Sequence, residues 1–169
     1  MPVFSCAPDD LPLLMEFYDI ARAYQQTQFT RHWQQFDPAG VLQEIQEGRQ
    51  WKMIEGDQVA MVFLTSYDDP VIWGKRNEEP SVYLHRIVTH PAFRGRGNME
   101  KLVQWAREHG KALGKKFIRM DTWGDNRKLN DYYIRCGFTL LEVVVPEDRS
   151  VFPAYYDFDS MSLLEMKVE

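Results

Sequence analysis

Apolar residues recur along this chain with two different periods, and their alternation predicts a mixed α/β fold. Four segments place apolar residues three or four positions apart, the spacing of amphipathic helices. These segments are 9–26, 37–48, 126–136 and a stretch that starts after Gly97 and ends at Gly110 or Gly114. Seven other segments are rich in β-branched and aromatic residues and are bounded by turn residues, as strands are. They are 2–6, 50–55, 58–67, 82–89, 116–123, 138–145 and 160–168.

The order of these elements indicates how the chain is organised. It reads strand, two helices, three strands, helix, strand, helix and two strands, without an internal repeat or a low-complexity tract. Gly56 and Asp57 predict a hairpin between the second and third strands, and the polar stretches 68–81 and 146–159 predict loops. A chain of 169 residues has the size of one domain, which we expect to span 1–169.

Composition and charge argue against several classes of partner. The formal net charge is −5 and the pI is about 5.4, whereas nucleic-acid binders are usually basic. An acidic surface favours a cationic substrate such as an amine. No run approaches the roughly 20 apolar residues that span a bilayer, and no signal-peptide core develops before Asp9, so we expect a cytoplasmic protein without a membrane partner. Two cysteines and four scattered histidines show no metal-ligand spacing, so we expect no metal site.

The stretch 90–101 concentrates positive charge on flexible backbone. Arg94, Gly95, Arg96 and Gly97 lie between a predicted strand and a predicted helix start. The free N–H groups and the dipole of a helix start attract an anion, and glycines let a phosphate approach the backbone. The pattern is neither a P-loop nor a dinucleotide-binding GxGxxG. A plain turn with two solvated arginines explains it equally well, and a single occurrence in an acidic chain argues against an RNA-binding segment.

Three blocks, in their order and spacing, resemble the GCN5-related N-acetyltransferase (GNAT) family. They are LHRIVTHPAFRGRGN at 84–98, DTWGDN at 121–126 and NDYYIRCGF at 130–138. The family's (Q/R)xxGx(G/A) and YxxxGF motifs map onto Arg94, Gly97, Met99, Tyr133, Gly137 and Phe138. The resemblance implies an α/β (α+β) fold with a mixed, mostly antiparallel sheet, splayed fourth and fifth strands, and helices on both faces.

The resemblance also implies a cofactor, acetyl-CoA, bound where those two strands splay. Its pyrophosphate rests on the glycine-rich turn, and its pantetheine arm pairs with backbone at the end of the fourth strand. The cofactor-binding residues that it implies are Ile87, Val88, Thr89, Arg94, Gly95, Arg96, Gly97, Asn98, Met99, Asn126 and Tyr133. Asn126 has an alternative role, which is to cap the predicted helix that begins there, 126–136. Met99 departs from the family's Gly or Ala, so we expect its side chain to turn into the core beside Leu102 and Val103.

Transfer of an acetyl group to an amine needs a base, because a primary alkyl amine has a pKa of about 10.4 and arrives protonated. His85 is the first candidate, since strict alternation along its strand puts it on the same face as Ile87. A histidine hydrogen-bonded inside the sheet is the alternative. Asp121 is the second candidate base, and an ion pair with Arg86 or Arg119 is its alternative role.

The departing thiolate needs a proton. Tyr133 occupies the tyrosine position of the YxxxGF motif, and the family resemblance implies that this tyrosine donates the proton. A phenol has an ordinary pKa of about 10, so it is protonated at neutral pH. The alternative is a core tyrosine on the apolar stripe of its helix. Tyr132 lies on the same stripe but lacks the motif position. A backbone N–H near Ile87 or Val88 is expected to polarise the thioester carbonyl.

The acceptor pocket is the least readable part of the sequence. Aromatic residues in loops and at helix ends are candidates for its wall, which would suit a cationic or apolar amine. They are Trp33, Trp73, Trp123, Tyr155 and Tyr156. Ordinary packing is the alternative for each of them.

Two functions of different classes follow from these residues. The first is an acetyl-CoA-dependent N-acetyltransferase that acts on a small amine, an amino acid or a peptide by direct attack in a ternary complex. The second is a non-catalytic module of the same fold that binds or senses acyl-CoA. Met99 and the lack of one unambiguous base support the second, and Tyr133 supports the first. By family analogy we expect a homodimer.

Overall fold

A computed structural model describes residues 1–152 and 158–169. Its helices are α1 (Leu11–Gln28), α2 (Pro38–Gln46), α3 (Pro70–Trp73), α4 (Asn98–Ala112) and α5 (Arg127–Arg135). Its strands are β1 (Val3–Ser5), β2 (Gln50–Glu55), β3 (Gln58–Ser66), β4 (Ser81–Thr89), β5 (Phe117–Trp123), β6 (Thr139–Val144) and β7 (Met161–Lys167). Each predicted helix and strand is therefore present, with ends that differ by a few residues. In the described ranges, no helix is long and apolar enough to cross a bilayer.

The prediction of a loop over 68–81 is wrong. This stretch forms the short helix α3, and a 3-10 turn, Gly74–Glu78, follows it directly. Pro70 occupies the first helical position, where its missing N–H and fixed φ are tolerated. Helices this short lack the repeated apolar spacing that sequence patterns detect, so the prediction missed them.

The seven strands form one mixed sheet in the order β1-β2-β3-β4-β5-β7-β6. β4 and β5 are parallel, and β5, β6 and β7 pair with antiparallel neighbours. The register of β4 and β5 covers only Ser81–Tyr83 against Phe117–Arg119. The two strands therefore separate after Tyr83 and Arg119, as the resemblance implied, and the groups that follow on each strand have an unpaired edge beside them.

The chain contacts divide it into two compact units whose segments alternate along the sequence. Within the described residues, the first unit comprises 1–65 and 86–98, and the second comprises 66–85, 99–152 and 158–169. The expectation of a single domain over 1–169 stays a prediction.

The first unit has an apolar core between helices and sheet. Leu14, Phe17 and Tyr18 of α1 pack with buried residues of α2 and of strands β3 and β4. At its edge, the ammonium of Lys52 contacts both carboxylate oxygens of Asp10 at 2.7 and 2.8 Å. This core fixes the end of β4 from which the glycine-rich turn departs.

The second unit is organised around a buried arginine, Arg119 of β5, whose side chain is 0% exposed. Its guanidinium donates to Glu165 on β7 and to Glu79, at 2.8 Å in each case, and to the carbonyl of Arg76. It also lies over the ring of Trp73, 4.8 Å from the centroid. A buried charge is tolerated when it is paired and hydrogen-bonded in this way.

We expect Arg119→Ala to lower the free energy of unfolding by about 3–5 kcal/mol, because it leaves the buried Glu165 carboxylate without its partner. Chemical denaturation of both proteins measures the difference. Arg107→Ala, at an exposed position of α4, is the matched control and should change the stability by less than about 0.5 kcal/mol. Equal stabilities of the Arg119 variant and the wild type would show that this network does not hold the unit together.

Candidate active site

The glycine-rich turn adopts the backbone that its sequence suggests. After β4 ends at Thr89, a 3-10 turn covers Pro91–Phe93, and α4 begins at Asn98. Gly95 and Gly97 have φ of +74° and +68°, a conformation that side chains rarely adopt. The backbone conformation of the turn therefore favours glycine at both positions. The turn leads directly into α4, whose first N–H groups have no acceptor within the helix.

Polar and cationic side chains hold this turn in place. The Asn98 amide donates to the carbonyl of Phe93 at 2.7 Å, while its buried Oδ1 has no hydrogen-bond partner in the part of the chain that the structure describes. Arg94 lies over the ring of Tyr24, 4.6 Å from the centroid. Arg96 donates to Glu55 at 2.9 Å. Both guanidinium groups stay exposed, so an anion from solvent can reach them.

Met99 is buried, with 3% of its surface exposed. Its side chain thus packs inward, as expected from the apolar stripe with Leu102 and Val103, and does not project into the solvent around the turn. The effect of Met99 on cofactor affinity stays a prediction.

The backbone of β4 is distorted at Arg86, which has a φ of +47°. Such a conformation costs about 1–3 kcal/mol for a residue with a side chain. The Arg86 guanidinium forms two hydrogen bonds with Glu44, at 2.8 and 3.0 Å, and lies over the ring of Phe36. Regular strand geometry is therefore interrupted between His85 and Ile87, and their placement on one face stays a prediction.

Within the second unit, an imidazole and two carboxylates converge. Asp69 precedes α3, His85 lies on β4, and Asp121 lies on β5 beyond the point where the two strands separate. One nitrogen or oxygen atom from each of the three lies within 4.8 Å of the other two. His85 Nε2 is also 2.9 Å from the hydroxyl of Ser66. The structure thus brings both candidate bases into one cluster with a third acid.

The cluster is electrostatically unusual because burial disfavours the charged form of both its carboxyl groups. Burial raises the pKa of Asp121 to about 8, and the charge of Asp69 adds to the effect. Burial also raises the pKa of Asp69, to about 6. Asp121 Oδ1 and Asp69 Oδ2 are buried and have no hydrogen-bond partner among the described residues. Neither of the two ion pairs considered for Asp121, with Arg86 or Arg119, is formed in that part of the chain.

Tyr133 and Asn126 lie on and before α5 in the same unit. Burial raises the pKa of the Tyr133 phenol well above its ordinary value, and the Asp121 charge is among the smaller causes. The Tyr133 ring packs edge-on against Phe138, with centroids 6.3 Å apart. Asn126 Oδ1 accepts from the Leu129 N–H at 3.1 Å, so this side chain caps α5. Tyr132 is 39% exposed. Burial therefore favours the protonated form of Tyr133, and its phenol interacts electrostatically with Asp121 of the cluster.

Comparison with known proteins assigns the family. Residues 13–138 match the model of the Acetyltransferase (GNAT) family. The chain belongs to this family.

Two curated relatives of this GNAT protein are named uncharacterized N-acetyltransferases. YesJ of Bacillus subtilis is 29% identical over 105 residues, which cover 60% of this chain and 58% of the relative. MJ1207 of Methanocaldococcus jannaschii is 34% identical over 61 residues, which cover 36% of this chain and 27% of the relative. Each match thus spans less than two thirds of the relative's length.

Solved structures share the GNAT fold with this chain at low sequence identity. A GNAT acetyltransferase from Listeria monocytogenes has a TM-score of 0.76 and 20% identity, and the match covers 98% of this chain and 94% of that one. YncA from Salmonella typhimurium, solved with its cofactor acetyl-CoA, has a TM-score of 0.69 and 15% identity, with 100% and 94% covered. A ribosomal-protein-alanine N-acetyltransferase from Brucella melitensis has a TM-score of 0.69 and 14% identity, with 99% of each chain covered.

The aromatic residues suggested for the acceptor pocket of this GNAT protein occupy different settings. Trp73 is 3% exposed and packs against Tyr83. Trp73 is therefore a core residue. Trp33 packs against Phe36, with ring centroids 5.6 Å apart, and Trp123 is partly exposed at the end of β5. Tyr155 and Tyr156 lie outside the described residues. A role for these side chains in acceptor binding stays a prediction.

Sequence reasoning missed Asp69. It lies in the stretch interpreted as a loop, and no spacing in the sequence connects it to β4 or β5. Its backbone N–H donates to the side chain of Asn77 at 2.6 Å, and the Tyr83 hydroxyl donates to the same oxygen at 3.0 Å. These bonds span β4 and the turn after α3, so only the folded structure reveals that Asp69 belongs with His85 and Asp121.

Proposed function

We propose that this GNAT protein is an acetyl-CoA-dependent N-acetyltransferase that transfers an acetyl group to a primary amine by direct attack in a ternary complex. The observation that carries the proposal is the convergence of Asp69, His85 and Asp121 where β4 and β5 separate. In a member of an acetyltransferase family, a partly buried imidazole and carboxylates at that point would supply the groups that amine chemistry requires.

The donor would bind through its phosphates at the glycine-rich turn. The exposed guanidinium groups of Arg94 and Arg96, the positive-φ glycines and the start of α4 favour an anion there. The acetyl-CoA in the Salmonella relative's structure supports this choice of anion. Contacts of the pantetheine arm with Ile87, Val88, Thr89 and Asn126 belong to the same proposal.

The chemistry requires two protons to leave the alkylammonium nitrogen, one before attack and one after it, and one proton to reach the sulfur. An alkylammonium ion attracted by the carboxylate of Asp69 gives a proton to His85, and the charge of Asp69 stabilises the imidazolium that forms. The neutral nitrogen then forms a bond to the thioester carbon, while a backbone N–H near Ile87 or Val88 stabilises the oxyanion. When the C–S bond breaks, Tyr133 donates its proton to the thiolate, and the second proton of the former amine nitrogen passes to the tyrosinate and restores the phenol.

The acceptor class is a primary amine of a small molecule, an amino acid or a peptide. The net negative charge and the buried carboxylates both favour an acceptor that arrives as a cation. The name of the Brucella protein describes an alanine of a ribosomal protein as the acceptor, which supports including peptides in the class. A cytoplasmic location and a homodimer are further predictions from composition and family resemblance.

Turnover of acetyl-CoA against a panel of primary amines, amino acids and peptides tests this function. Release of the CoA thiol would be followed with a thiol reagent, with an amine-free reaction as the background. We expect acceptor-dependent release for at least one member of the panel. Tight CoA binding without release for any acceptor would favour the non-catalytic acyl-CoA-binding module instead.

Replacing both Arg94 and Arg96 with Ala should weaken CoA binding by at least tenfold. Each charge-assisted hydrogen bond contributes roughly 1.5–3 kcal/mol, and the double variant removes both guanidinium groups from the turn. Isothermal titration calorimetry with CoA measures the change, and Arg107→Ala on α4 is the control with equal charge loss per residue. An unchanged affinity in the double variant would place the phosphates elsewhere.

Tyr133→Phe should lower kcat by about 10²–10⁴-fold, the usual range for a positioned acid, and leave the affinity for acetyl-CoA nearly unchanged. The change removes the hydroxyl but keeps the ring that packs on Phe138. Tyr132→Phe is the matched control, because that ring is exposed on the same helix, and its kcat should stay within a few-fold of the wild type. Equal losses in both variants, or no loss in either, would remove Tyr133 from the mechanism.

A further inference from the structure

We propose that Asp69, His85 and Asp121 also form a binding site for one divalent transition-metal ion of the Zn²⁺ or Co²⁺ type. The site goes beyond the acetyl-transfer reaction, which needs no metal in the mechanism above. An ion held there would occupy the candidate base and exclude the acceptor amine, so the proposed site is an inhibitory one.

The positions of the donor atoms carry the first step of the inference. One donor atom from each of the three residues lies within 4.8 Å of the other two. With metal–ligand bonds of about 2.0–2.2 Å, neighbouring donors around a tetrahedral ion lie about 3.3–3.6 Å apart. Binding of an ion therefore requires the three atoms to approach one another from separations of up to 4.8 Å. The residues come from three separate segments, and such a convergence has no local cause in the sequence.

The state of the carboxylates carries the second step. Asp69 Oδ2 and Asp121 Oδ1 are buried and have no hydrogen-bond partner in the described part of the chain. Buried carboxylates are normally paired or bound to a metal, because an uncompensated charge is costly away from water. A single ammonium group neutralises one carboxylate, whereas a divalent ion neutralises both. The charge of the cluster therefore favours a divalent cation.

The donor set selects the type of ion. Ca²⁺ requires six to eight oxygen ligands and Mg²⁺ prefers an octahedral shell of oxygens, whereas an imidazole with carboxylates suits Zn²⁺ and its first-row neighbours. The ring of His85 is already oriented by the contact of Nε2 with Ser66 at 2.9 Å. Asp69 is oriented by the bond from its backbone to Asn77. Outer hydrogen bonds of this kind position the ligands of metal sites in general.

Titration of the chelator-treated protein with Co²⁺ tests the site, with visible absorption and calorimetry as readouts. We expect one Co²⁺ per chain in the wild type, and a decrease in affinity of at least tenfold in both Asp69→Asn and Asp121→Asn. Asparagine keeps the shape of each side chain and removes a buried like charge, so thermal melts should show folded variants. Asp131→Asn, at an exposed position of α5, is the matched control and should bind Co²⁺ as the wild type does.

The titration contains neither acetyl-CoA nor an acceptor, so its outcome is independent of the proposed acetyl transfer. Absence of binding up to roughly 1 mM Co²⁺ would overturn the proposal and leave the enzyme function intact. Wild-type affinity in both Asn variants would equally overturn it, since the ion would then lie elsewhere. Conversely, a protein without turnover that still bound one Co²⁺ through these residues would support the metal site alone.

Discussion

The second unit of this protein depends on the buried guanidinium of Arg119. It connects β5 to Glu165 on β7 and to the segment around Arg76 and Glu79 that follows α3. That segment contains Asn77, whose side chain receives the N–H of Asp69. Asp121 lies two residues after Arg119 on β5, on the same face of the strand. The contacts of one buried charge therefore link the two parts of the arrangement that brings the carboxylates of Asp69 and Asp121 together.

The carboxylates of Asp69 and Asp121 lie in an environment that lowers the stability of the folded chain. Arg119 is fully paired, whereas Asp69 and Asp121 each keep a buried oxygen without a partner in the described residues. Proteins break the rule of satisfied buried polar groups mainly at functional sites. The β4–β5 register ends at Tyr83 and Arg119, so His85 and Asp121 lie beyond the paired part of the two strands. Protonation, amine binding and metal binding are three ways to satisfy the same excess of negative charge.

Patterns in the sequence predicted the secondary structure and the glycine-rich turn, because both depend on local rules. Apolar spacing gives α4 and α5, and positive φ explains Gly95 and Gly97. The family resemblance implied the separation of β4 and β5, but other features that depend on tertiary contacts were not predictable. The insertion of β7 between β5 and β6, the distorted backbone at Arg86 and the place of Asp69 have no local signal, since each is set by residues far away in the chain.

The most direct measurement is the single-turnover rate of acetyl transfer in His85→Gln at saturating acetyl-CoA, once an acceptor is in hand. Glutamine can still bond Ser66 but cannot take a proton from the amine. If His85 is the base, the rate should fall by about 10²–10⁴-fold while the dissociation constant for acetyl-CoA stays within a factor of a few. A rate close to that of the wild type would contradict the account, because the acceptor's proton would then leave by another route.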